Sequence, residues 1–334
     1  MSVSAVSAGR SQAPRTLWNR LTDAWWAYEA PTYLLFAGVY VAWGLLVWFH
    51  AALPWWLMIP LGGYLVALHS SLQHESIHAL RRSPVWLRTA VAYAPLGVWV
   101  AYPVYHRMHS THHRNADLTL PEADPESRYV SQDRWARMDP VSRWLRIADQ
   151  TLVFHLTLGP ALAWSRFWSG ELRALAGGDT SHLRAWLWHV VMLGLLFAFV
   201  SGVAGMAWWQ YVLLIAYPHV GFIRLRSFFE HRWAVRPSER IASVEAGFVF
   251  AFLFLWNNLH IVHHMRATMP WYRIPGFYKA NRQRLLAMNG HYVFTGGYLD
   301  LMRRYAFRPT FVPAHPATPG GSAPAPAAVA DGAA

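Results

Sequence analysis

The chain has 334 residues, of which 54% are hydrophobic and only 14% are charged, and its formal net charge is +12. This composition is too apolar for an ordinary soluble domain. The absence of cysteine excludes iron–sulfur clusters and rubredoxin-type iron sites. No basic stripe interleaved with stacking aromatic residues appears outside the loops that flank apolar blocks, so anionic lipid headgroups explain the arginines better than nucleic acid does.

Both ends of the chain predict disorder, and the region between them predicts one domain. The first 15 residues are polar, and residues 309–334 are rich in Ala, Pro and Gly. Between them we find no solenoid repeat and no linker that would divide the chain. Residues 16–308 are therefore expected to form a single membrane domain.

Four apolar blocks predict membrane-spanning helices, since each approaches the ~20 residues needed to cross a bilayer. They comprise residues 31–50, 54–73, 185–205 and 207–226. The short gaps within each pair predict two hairpins. The expected fold is an all-α integral membrane protein with four transmembrane helices in two hairpins and a helical cap that carries a metal site. The shorter or interrupted apolar stretches at 85–105, 151–164 and 247–259 are predicted to be cap or interfacial helices.

The distribution of arginine predicts the orientation in the membrane. The connections at 51–53 and near 206 contain no Lys or Arg, whereas residues 74–184 carry thirteen Arg. The positive-inside rule then places both termini and the 74–184 loop in the cytoplasm. The histidine clusters described next lie on that same side.

The first histidine cluster follows the second apolar block. His74 and His78 are four residues apart and would project from one face of a helix. A helix that begins at Pro54 and continues through His78 would be ~37 Å long, which exceeds the ~30 Å hydrocarbon layer. Both side chains are therefore expected just beyond the cytoplasmic face.

Two copies of the pattern His-x-x-His-His predict a metal site. They are His109, His112 and His113, and then His260, His263 and His264. Chance would supply only ~0.05 such patterns in a chain with this histidine content. The spacings of three and four allow each segment to aim its imidazoles at a common point. Eight histidines exceed the four ligands that zinc normally takes, so the supply predicts two metal ions, with iron favoured.

These residues resemble the membrane fatty acid desaturase superfamily, which includes alkane hydroxylases and carotenoid hydroxylases and ketolases. The likeness covers most of residues 31–300 and depends on the three histidine boxes, in order, with apolar pairs before and between them. It implies a four-helix anchor, two non-haem irons, O₂ as co-substrate, and a lipid or acyl substrate. It also implies an external electron donor of the ferredoxin, rubredoxin or cytochrome b5 type, with its reductase.

The resemblance further implies a ninth histidine ligand between the fourth span and the last box, and His231 occupies that place. The implied metal ligands are His74, His78, His109, His112, His113, His231, His260, His263 and His264. Carboxylates are expected to orient the ligand rings by accepting their second N–H. Glu75 and Glu230 are favoured for this role because they adjoin ligands, and Asp117, Asp124 and Glu126 are further candidates.

The sequence departs from acyl-CoA desaturases at one position. Those enzymes have an Asn four residues before the lone histidine, where this chain has Ser227. The short first box, the stretch from Asp124 to Ser127, and the last box resemble bacterial desaturases that act on lipids or on small secondary metabolites such as dihydrorhizobitoxine. A location in a bacterial inner membrane is expected on this basis.

Three other functions remain open. A membrane hydroxylase or ketolase would use the same ligands, because rebound of oxygen gives an alcohol where loss of two hydrogens gives a double bond. His74-Glu75-Ser-Ile-His78 is also an HExxH motif, as in zinc proteases. A zinc-protease site, however, would not explain the histidines of either His-x-x-His-His box. A transporter or other non-enzymatic membrane protein is disfavoured because the spans contain no internal acidic residue.

Overall fold

The computed structural model describes residues 17–114, 118–121 and 123–316. Residues 1–15 and 317–334, for which disorder is predicted, lie outside these ranges, and so does Asp117, a predicted carboxylate contact of the site. The described part of the chain is mostly helical. Its helices enclose a hydrophobic core to which both the first long apolar helix and the last helix contribute, through residues such as Phe36 and Leu301.

The first half of the chain forms nine helices within the described ranges. They are α1 (Leu17–Ala27), α2 (Ala30–Trp48), α3 (Trp55–His78), α4 (Val85–Ala92), α5 (Tyr102–Arg114), α6 (Gln132–Arg137), α7 (Pro140–Ala148), α8 (Leu152–Thr157) and α9 (Gly159–Ala176). A short 3₁₀ turn, His50–Ala52, connects α2 to α3. The predicted interruption of 85–105 is present, because irregular chain at 93–101 separates α4 from α5.

The second half adds seven helices and a small parallel strand pair within the described ranges. They are α10 (Leu183–Phe197), α11 (Trp208–Tyr211), α12 (Tyr217–Glu230), α13 (Phe248–Leu253), α14 (His260–Met265), α15 (Ile274–Met288) and α16 (Gly297–Tyr305), with β1 (Ser243–Val244) and β2 (Val293–Phe294). Ser243 pairs with Val293, and Val244 with Phe294. Sequence patterning missed these strands, because two residues are too few to show the alternation that marks a strand.

Three helices of the described chain are long and apolar enough to cross a membrane, namely Ala30–Trp48, Leu183–Val203 and Trp208–Glu230. Large apolar side chains such as Leu45 on α2 and Leu195 on α10 are exposed, as expected of surfaces that face lipid. Three of the four predicted spans thus have a matching helix. The fourth, at residues 54–73, falls in α3.

Helix α3 is long but less apolar than the other three. It has 24 residues, so it is ~36 Å long, and it continues without a break to His78 as predicted. Polar residues such as His69 and Ser71 lie on it and are buried. It packs mainly against α12 and also against α2. Its surroundings are therefore largely protein, which is why its composition is less hydrophobic.

Two π-helical turns interrupt the third and fourth apolar helices, at Ala198–Val203 and Val212–Ala216. The second has an identifiable cause. Pro218 has no backbone N–H and cannot continue an α-helical hydrogen-bond ladder into the preceding turn. The N–H of Tyr217 instead bonds the carbonyl oxygen of Val212, five residues back. The wider turn keeps α11 and α12 in one continuous spanning segment.

Residues 309–316 are packed against the protein, which corrects their assignment to a disordered tail. The Phe311 ring stacks on Tyr129, and the backbone at Ala314 bridges Val130. His315 is buried. Composition misplaced this boundary because the aromatic and histidine contacts that anchor the segment are made by side chains distant in sequence.

Glycines on α3 allow it to approach the fourth apolar helix closely. A Cβ on Gly62 would lie 2.6 Å from Ile215 Cγ1, and one on Gly63 would lie 2.8 Å from Phe222 Cε2. Both distances are far below van der Waals contact. Because the β-branched Ile215 is stiff at χ1, the contact at Gly62 cannot be relieved by a simple rotation.

We expect Gly62→Ala to destabilise the protein by about 1–3 kcal/mol, because it overpacks the contact between α3 and Ile215. The matched control is Gly44→Ala on α2, where an added Cβ would meet no atom within 4 Å. That variant should be unchanged or slightly more stable, since Ala is the better helix former. Thermal unfolding in detergent micelles measures both, and equal melting temperatures for the two variants would contradict the close packing.

Candidate metal centre

Four elements deliver histidines to one region of the protein. His74 and His78 lie in the last turns of α3, and α5 carries His109, His112 and His113. His231 follows directly after the last residue of α12, and α14 carries His260, His263 and His264. The ends of two long helices thus meet two short histidine-bearing helices. All nine histidines singled out by the sequence are brought together here.

The nine imidazoles form two groups, in each of which the candidate ligand atoms lie within 4.8 Å of one another. We call these the five-histidine group and the four-histidine group. The first consists of His74, His78, His109, His113 and His263, and the second of His112, His231, His260 and His264. Either group could hold a metal ion.

Each His-x-x-His-His box is divided between the two groups, contrary to the expectation that each box aims at one point. His109 and His113, four residues apart on α5, join the five-histidine group, whereas His112 joins the other. In α14 the arrangement is reversed, and only His263 joins the five-histidine group. The cause is helical geometry, because residues four apart share a face and adjacent residues do not.

Ring nitrogens face one another at short distances, and in three of four pairs they come from different elements. The Nε2 atoms are separated by 3.0 Å in the pair His78–His109, 2.8 Å in His113–His263, 3.0 Å in His231–His260 and 3.0 Å in His260–His264. Two ligands of a six-coordinate metal with bonds of about 2.1 Å would be ~3.0 Å apart when they occupy neighbouring positions. The separations therefore suit a shared cation.

The outer contacts of these rings leave lone pairs directed inward. His109 donates its Nδ1–H to Glu126 Oε1 at 2.8 Å, so the Nε2 atom of the neutral ring carries a lone pair. Nε2 of His74 and of His112 is buried and has no hydrogen-bond partner among the described residues. Buried lone pairs that converge without donors are unfavourable unless a cation lies between them. The donor set thus fits a metal ion in each group.

The number of donors bears on which metal fits. Structural zinc sites are four-coordinate, and catalytic zinc sites use three protein ligands. Five imidazoles in one group exceed both numbers. An ion that accepts six ligands, including nitrogen donors, would leave one open position in the five-histidine group and two in the four-histidine group.

Carboxylates lie beside the outer nitrogens of three rings. His109 donates to Glu126, and His112 donates its Nδ1–H to Asp124 Oδ1 at 2.8 Å. These two hydrogen bonds fix the orientation and tautomer of a ligand ring. Glu230 lies close to the site as predicted, with Oε1 3.2 Å from His260 Nδ1 and 2.7 Å from Arg226 Nε, but the contact with His260 does not have hydrogen-bond geometry.

Glu75 is placed differently from the prediction. Its Oε1 accepts a hydrogen bond from the backbone N–H of Trp271 at 2.9 Å, rather than from a histidine ring. Adjacent residues on a helix point about 100° apart, so the neighbour of a ligand does not face the metal. The same orientation disfavours the zinc-protease assignment, in which Glu75 would have to act beside the metal.

Asn257 is a contact of the site that the sequence analysis missed. Its side-chain amide lies 3.1 Å from His74 Nδ1, while its Oδ1 has no hydrogen-bond partner among the described residues. The two ends of an amide are interchangeable in such assignments. Flipping it allows Oδ1 to accept the His74 N–H. Its position three residues before His260 was the one sequence feature that could have indicated a contact with the site.

The electrostatics of the groups favour neutral ligands and a bound cation. Burial, followed by repulsion from neighbouring imidazoles, lowers the pKa of His78 to about 2 and that of His113 to about 3. His112 differs, because although burial opposes its charge, the Glu126 and Asp124 carboxylates raise its pKa to about 9. Carboxylates on the outer side of the four-histidine group thus stabilise positive charge there.

The aromatic residues beside the last box pack against each other. The rings of Trp256 and Trp271 are stacked with centroids 5.8 Å apart, and Tyr272 donates its hydroxyl to Glu29. A cavity of about 850 Å³ reaches His74, His109 and His231, but these three aromatic residues are not among the described residues that line it. These rings therefore pack against the protein rather than line the cavity.

Comparison with known proteins identifies a family. The model for the fatty acid desaturase family matches residues 50–296, which include all nine histidines. No curated protein matches the chain.

We expect purified protein to bind two metal ions per chain and to lose about one of them when a single group is broken. His78→Ala should empty the five-histidine group and His264→Ala the four-histidine group, because each removes a ligand that faces inward. His291→Asn is the control, since His291 is exposed, lies outside both groups and has a positive φ that Asn tolerates. Elemental analysis by mass spectrometry gives the stoichiometry. Full metal content in both alanine variants would contradict the assignment.

Replacing the carboxylate that orients His109 should weaken metal binding. We expect Glu126→Gln to reduce affinity by about 10- to 100-fold, because the amide is a poorer acceptor for the ring N–H. Glu75→Gln is a matched control, since Glu75 bonds the Trp271 backbone and should retain normal affinity. Competition with a chelator measures both. A larger loss in Glu75→Gln than in Glu126→Gln would restore the sequence-based assignment.

Proposed function

The chain belongs to the fatty acid desaturase family, and from this we propose that it is an O₂-dependent di-iron membrane desaturase that introduces a double bond into a fatty acyl or other lipid-like substrate. The observation that carries the proposal is the division of nine histidines into two adjacent metal-competent groups. Family membership and long apolar helices support an oxidoreductase that acts at a membrane.

Iron is proposed for both groups because it accepts more than four ligands and tolerates a mainly imidazole environment. When bound, the two irons would supply the reduction of O₂ to an oxidant strong enough to take hydrogen from a methylene group. The protein's part is to hold the histidine lone pairs in place. Glu126 and Asp124 do this by accepting hydrogen bonds from the rings of His109 and His112.

The cavity beside the centre is proposed to hold the substrate. Its lining includes His74, His109 and Glu126 as well as apolar side chains such as Ile223 and Phe254. Its volume of about 850 Å³ lies within the ~300–1,000 Å³ range typical of small-molecule sites. Walls of this kind exclude water and restrain the substrate carbons. The position of one carbon relative to the metals then selects the product.

The membrane arrangement is proposed to comprise four spans, with α3 as the second. Its 24 residues are long enough to cross, and its moderate hydropathy follows from being covered by other helices. The arginine distribution supports cytoplasmic termini and a cytoplasmic helical cap around the centre. A bacterial inner membrane is proposed as the location because the first and last histidine boxes resemble those of bacterial desaturases. Residues 16–308 are proposed to act as one domain.

Electrons are proposed to come from a separate carrier of the ferredoxin, rubredoxin or cytochrome b5 type, with its reductase. Family membership is the basis for this, and the chain contains no cysteine with which to hold an iron–sulfur cluster of its own. A membrane hydroxylase or ketolase is the nearest alternative, because it would use the same ligands. A desaturase of a small secondary metabolite of the dihydrorhizobitoxine type is the second.

Mass spectrometry of lipids and metabolites from cells that express the protein tests the activity. A product two hydrogens lighter than its precursor supports desaturation, and a product with one extra oxygen supports hydroxylation. The product should be absent with His263→Ala, because that variant removes a ligand of the five-histidine group. The His291→Asn variant should retain it. A product that persists in His263→Ala, or that forms without O₂, would contradict the proposal.

A further inference from the structure

Four aromatic rings form a continuous path between the metal centre and the protein surface. Trp256 and Trp271 are stacked with ring centroids 5.8 Å apart, and the Tyr272 centroid lies 5.6 Å from that of Trp271. Trp26 on α1 follows at 5.4 Å and is 47% exposed. All three separations are within the range of direct ring-to-ring contact. We call these four residues the aromatic path.

The inner end of the aromatic path is joined to His74 of the five-histidine group by two short links. Trp256 directly precedes Asn257, whose side-chain amide lies 3.1 Å from His74 Nδ1. The backbone N–H of Trp271 donates to Oε1 of Glu75, the residue after His74, at 2.9 Å. Each link from imidazole to indole therefore consists of covalent bonds and a single hydrogen bond.

The backbone holds the first indole ring in place at a conformational cost. Leu255 and Trp256 are consecutive residues with φ of 49° and 59°, in the left-handed region that residues other than glycine rarely adopt. Such strain persists only where the surrounding contacts enforce it, and it is concentrated at functional sites. Here the strained turn directs Trp256 onto Trp271 while the next residue, Asn257, contacts His74.

At the outer end of the path, Tyr272 has a proton acceptor. Its hydroxyl donates to Glu29 Oε2 at 2.6 Å. Burial raises the pKa of the Glu29 carboxyl above its ordinary value, and this makes the carboxylate a better base. The Arg273 guanidinium lies 5.9 Å from the centroid of the Tyr272 ring, where it opposes positive charge on that ring. Tyr272 therefore loses an electron most readily when Glu29 takes its proton.

The chemistry of indole and phenol rings indicates what the path conducts. These rings give up an electron only to a strong oxidant, such as one able to take hydrogen from a methylene group. Iron–sulfur and haem carriers are far too weak to oxidise them, so the path suits the oxidising state of the centre rather than electron delivery to it. Trp256, Trp271 and Tyr272 are not among the described residues that line the cavity, so charge on this path moves away from the substrate.

We propose that the aromatic path carries an oxidising equivalent away from the metal centre when no substrate is bound, and that Tyr272 is the residue that forms the radical. One electron passes from Tyr272 through Trp271 and Trp256 to the centre, which is reduced by one equivalent. The O–H bond of Tyr272 breaks, and its proton forms a new O–H bond on Glu29. A soluble thiolate restores the tyrosine by giving up one electron while Glu29 returns the proton, and two of the resulting thiyl radicals combine to a disulfide.

This inference rests on the proposed function for the source of the oxidant, whereas transfer between the rings does not. Photochemical oxidation therefore tests the path without any metal. Because the chain has no cysteine, Phe248→Cys creates a single labelling site, and Phe248 is exposed with its ring centroid 6.0 Å from that of Trp256. A ruthenium polypyridyl complex attached there, excited in the presence of an electron acceptor, oxidises the neighbouring indole. Electron paramagnetic resonance should then show a radical on tyrosine, and a radical that stays on tryptophan overturns the proposal.

Matched variants of the labelled protein identify the tyrosine. Tyr272→Phe should abolish the tyrosyl signal and leave the radical on tryptophan, whereas Tyr278→Phe should not change it. Tyr278 is the control because its hydroxyl also donates to a carboxylate, Glu245 at 2.7 Å, although it is not part of the path. Unchanged gel-filtration profiles show that the variants are folded. Retention of the signal in Tyr272→Phe, with its loss in Tyr278→Phe, would refute the assignment.

The proton acceptor is tested in the same way. Glu29→Gln should lower the yield of the tyrosyl radical and prolong the tryptophan radical, because an amide is a much poorer base than a carboxylate. Glu245→Gln, which alters the acceptor of the Tyr278 hydroxyl, should behave as the labelled parent does. Formation of the tyrosyl radical should be slower in D₂O, since the O–H bond breaks in that step. Equal tyrosyl yields in the two variants would overturn the role of Glu29.

Iron-loaded protein shows whether the centre supplies the oxidising equivalent. Chemically reduced protein mixed with O₂ without substrate should give the same tyrosyl signal, and Tyr272→Phe should lack it. Absence of the signal from protein that is active with substrate would overturn the escape of oxidising equivalents. If photo-oxidation produces the Tyr272 radical but the protein holds no iron and forms no product, only the proposed function fails. If product forms but photo-oxidation leaves the radical on tryptophan, only the aromatic path fails.

Discussion

Imidazole lone pairs from four separate elements converge in two small volumes, and this constraint governs much of the structure. Facing Nε2 atoms approach to 2.8–3.0 Å, a distance at which two lone pairs repel unless a cation lies between them. Contacts elsewhere in the protein stabilise the imidazoles in these positions. Carboxylates secure the outer nitrogens of His109 and His112, and the packing of α3 against α12 fixes the positions of His74 and His231.

The long helices have a role beyond membrane anchorage. Gly62 and Gly63 allow α3 to approach Ile215 and Phe222 so closely that a single added methyl group would collide. The ends of α3 and α12 are consequently held in a defined register. Small displacements at a metal site change affinity and product outcome strongly, so the precision of this helix contact bears directly on chemistry.

The cavity beside the metal centre is lined by charged side chains from distant parts of the chain. They include the carboxylates of Asp124, Glu126 and Glu230, and arginines from α6, α7, α9 and α12. Some arginines that sequence analysis attributes only to topology and lipid headgroups, such as Arg146 and Arg166, line this cavity.

Sequence patterning singled out eight of the nine histidines, three matching long apolar helices, and the continuation of α3 through His78, because these features depend on local helical spacing and composition. The ninth histidine, His231, was indicated by the family resemblance. The sequence analysis named Glu126 as a candidate but wrongly favoured Glu75 over it. Glu75 adjoins a ligand in sequence but points elsewhere, whereas Glu126 reaches His109 from an irregular segment 17 residues away. Asn257 and the strand pair were missed because their partners are distant in sequence.

The chain's residue types and spacings determined by themselves that imidazoles would be presented in helical pairs near the ends of apolar helices. Only the tertiary structure decided how each box is divided between the two groups, which carboxylates hold the rings, and that arginines distant in sequence line a cavity that reaches the centre. The physical reason is that a helix fixes directions only within a few turns, while the packing of α3, α5, α12 and α14 fixes how those directions meet.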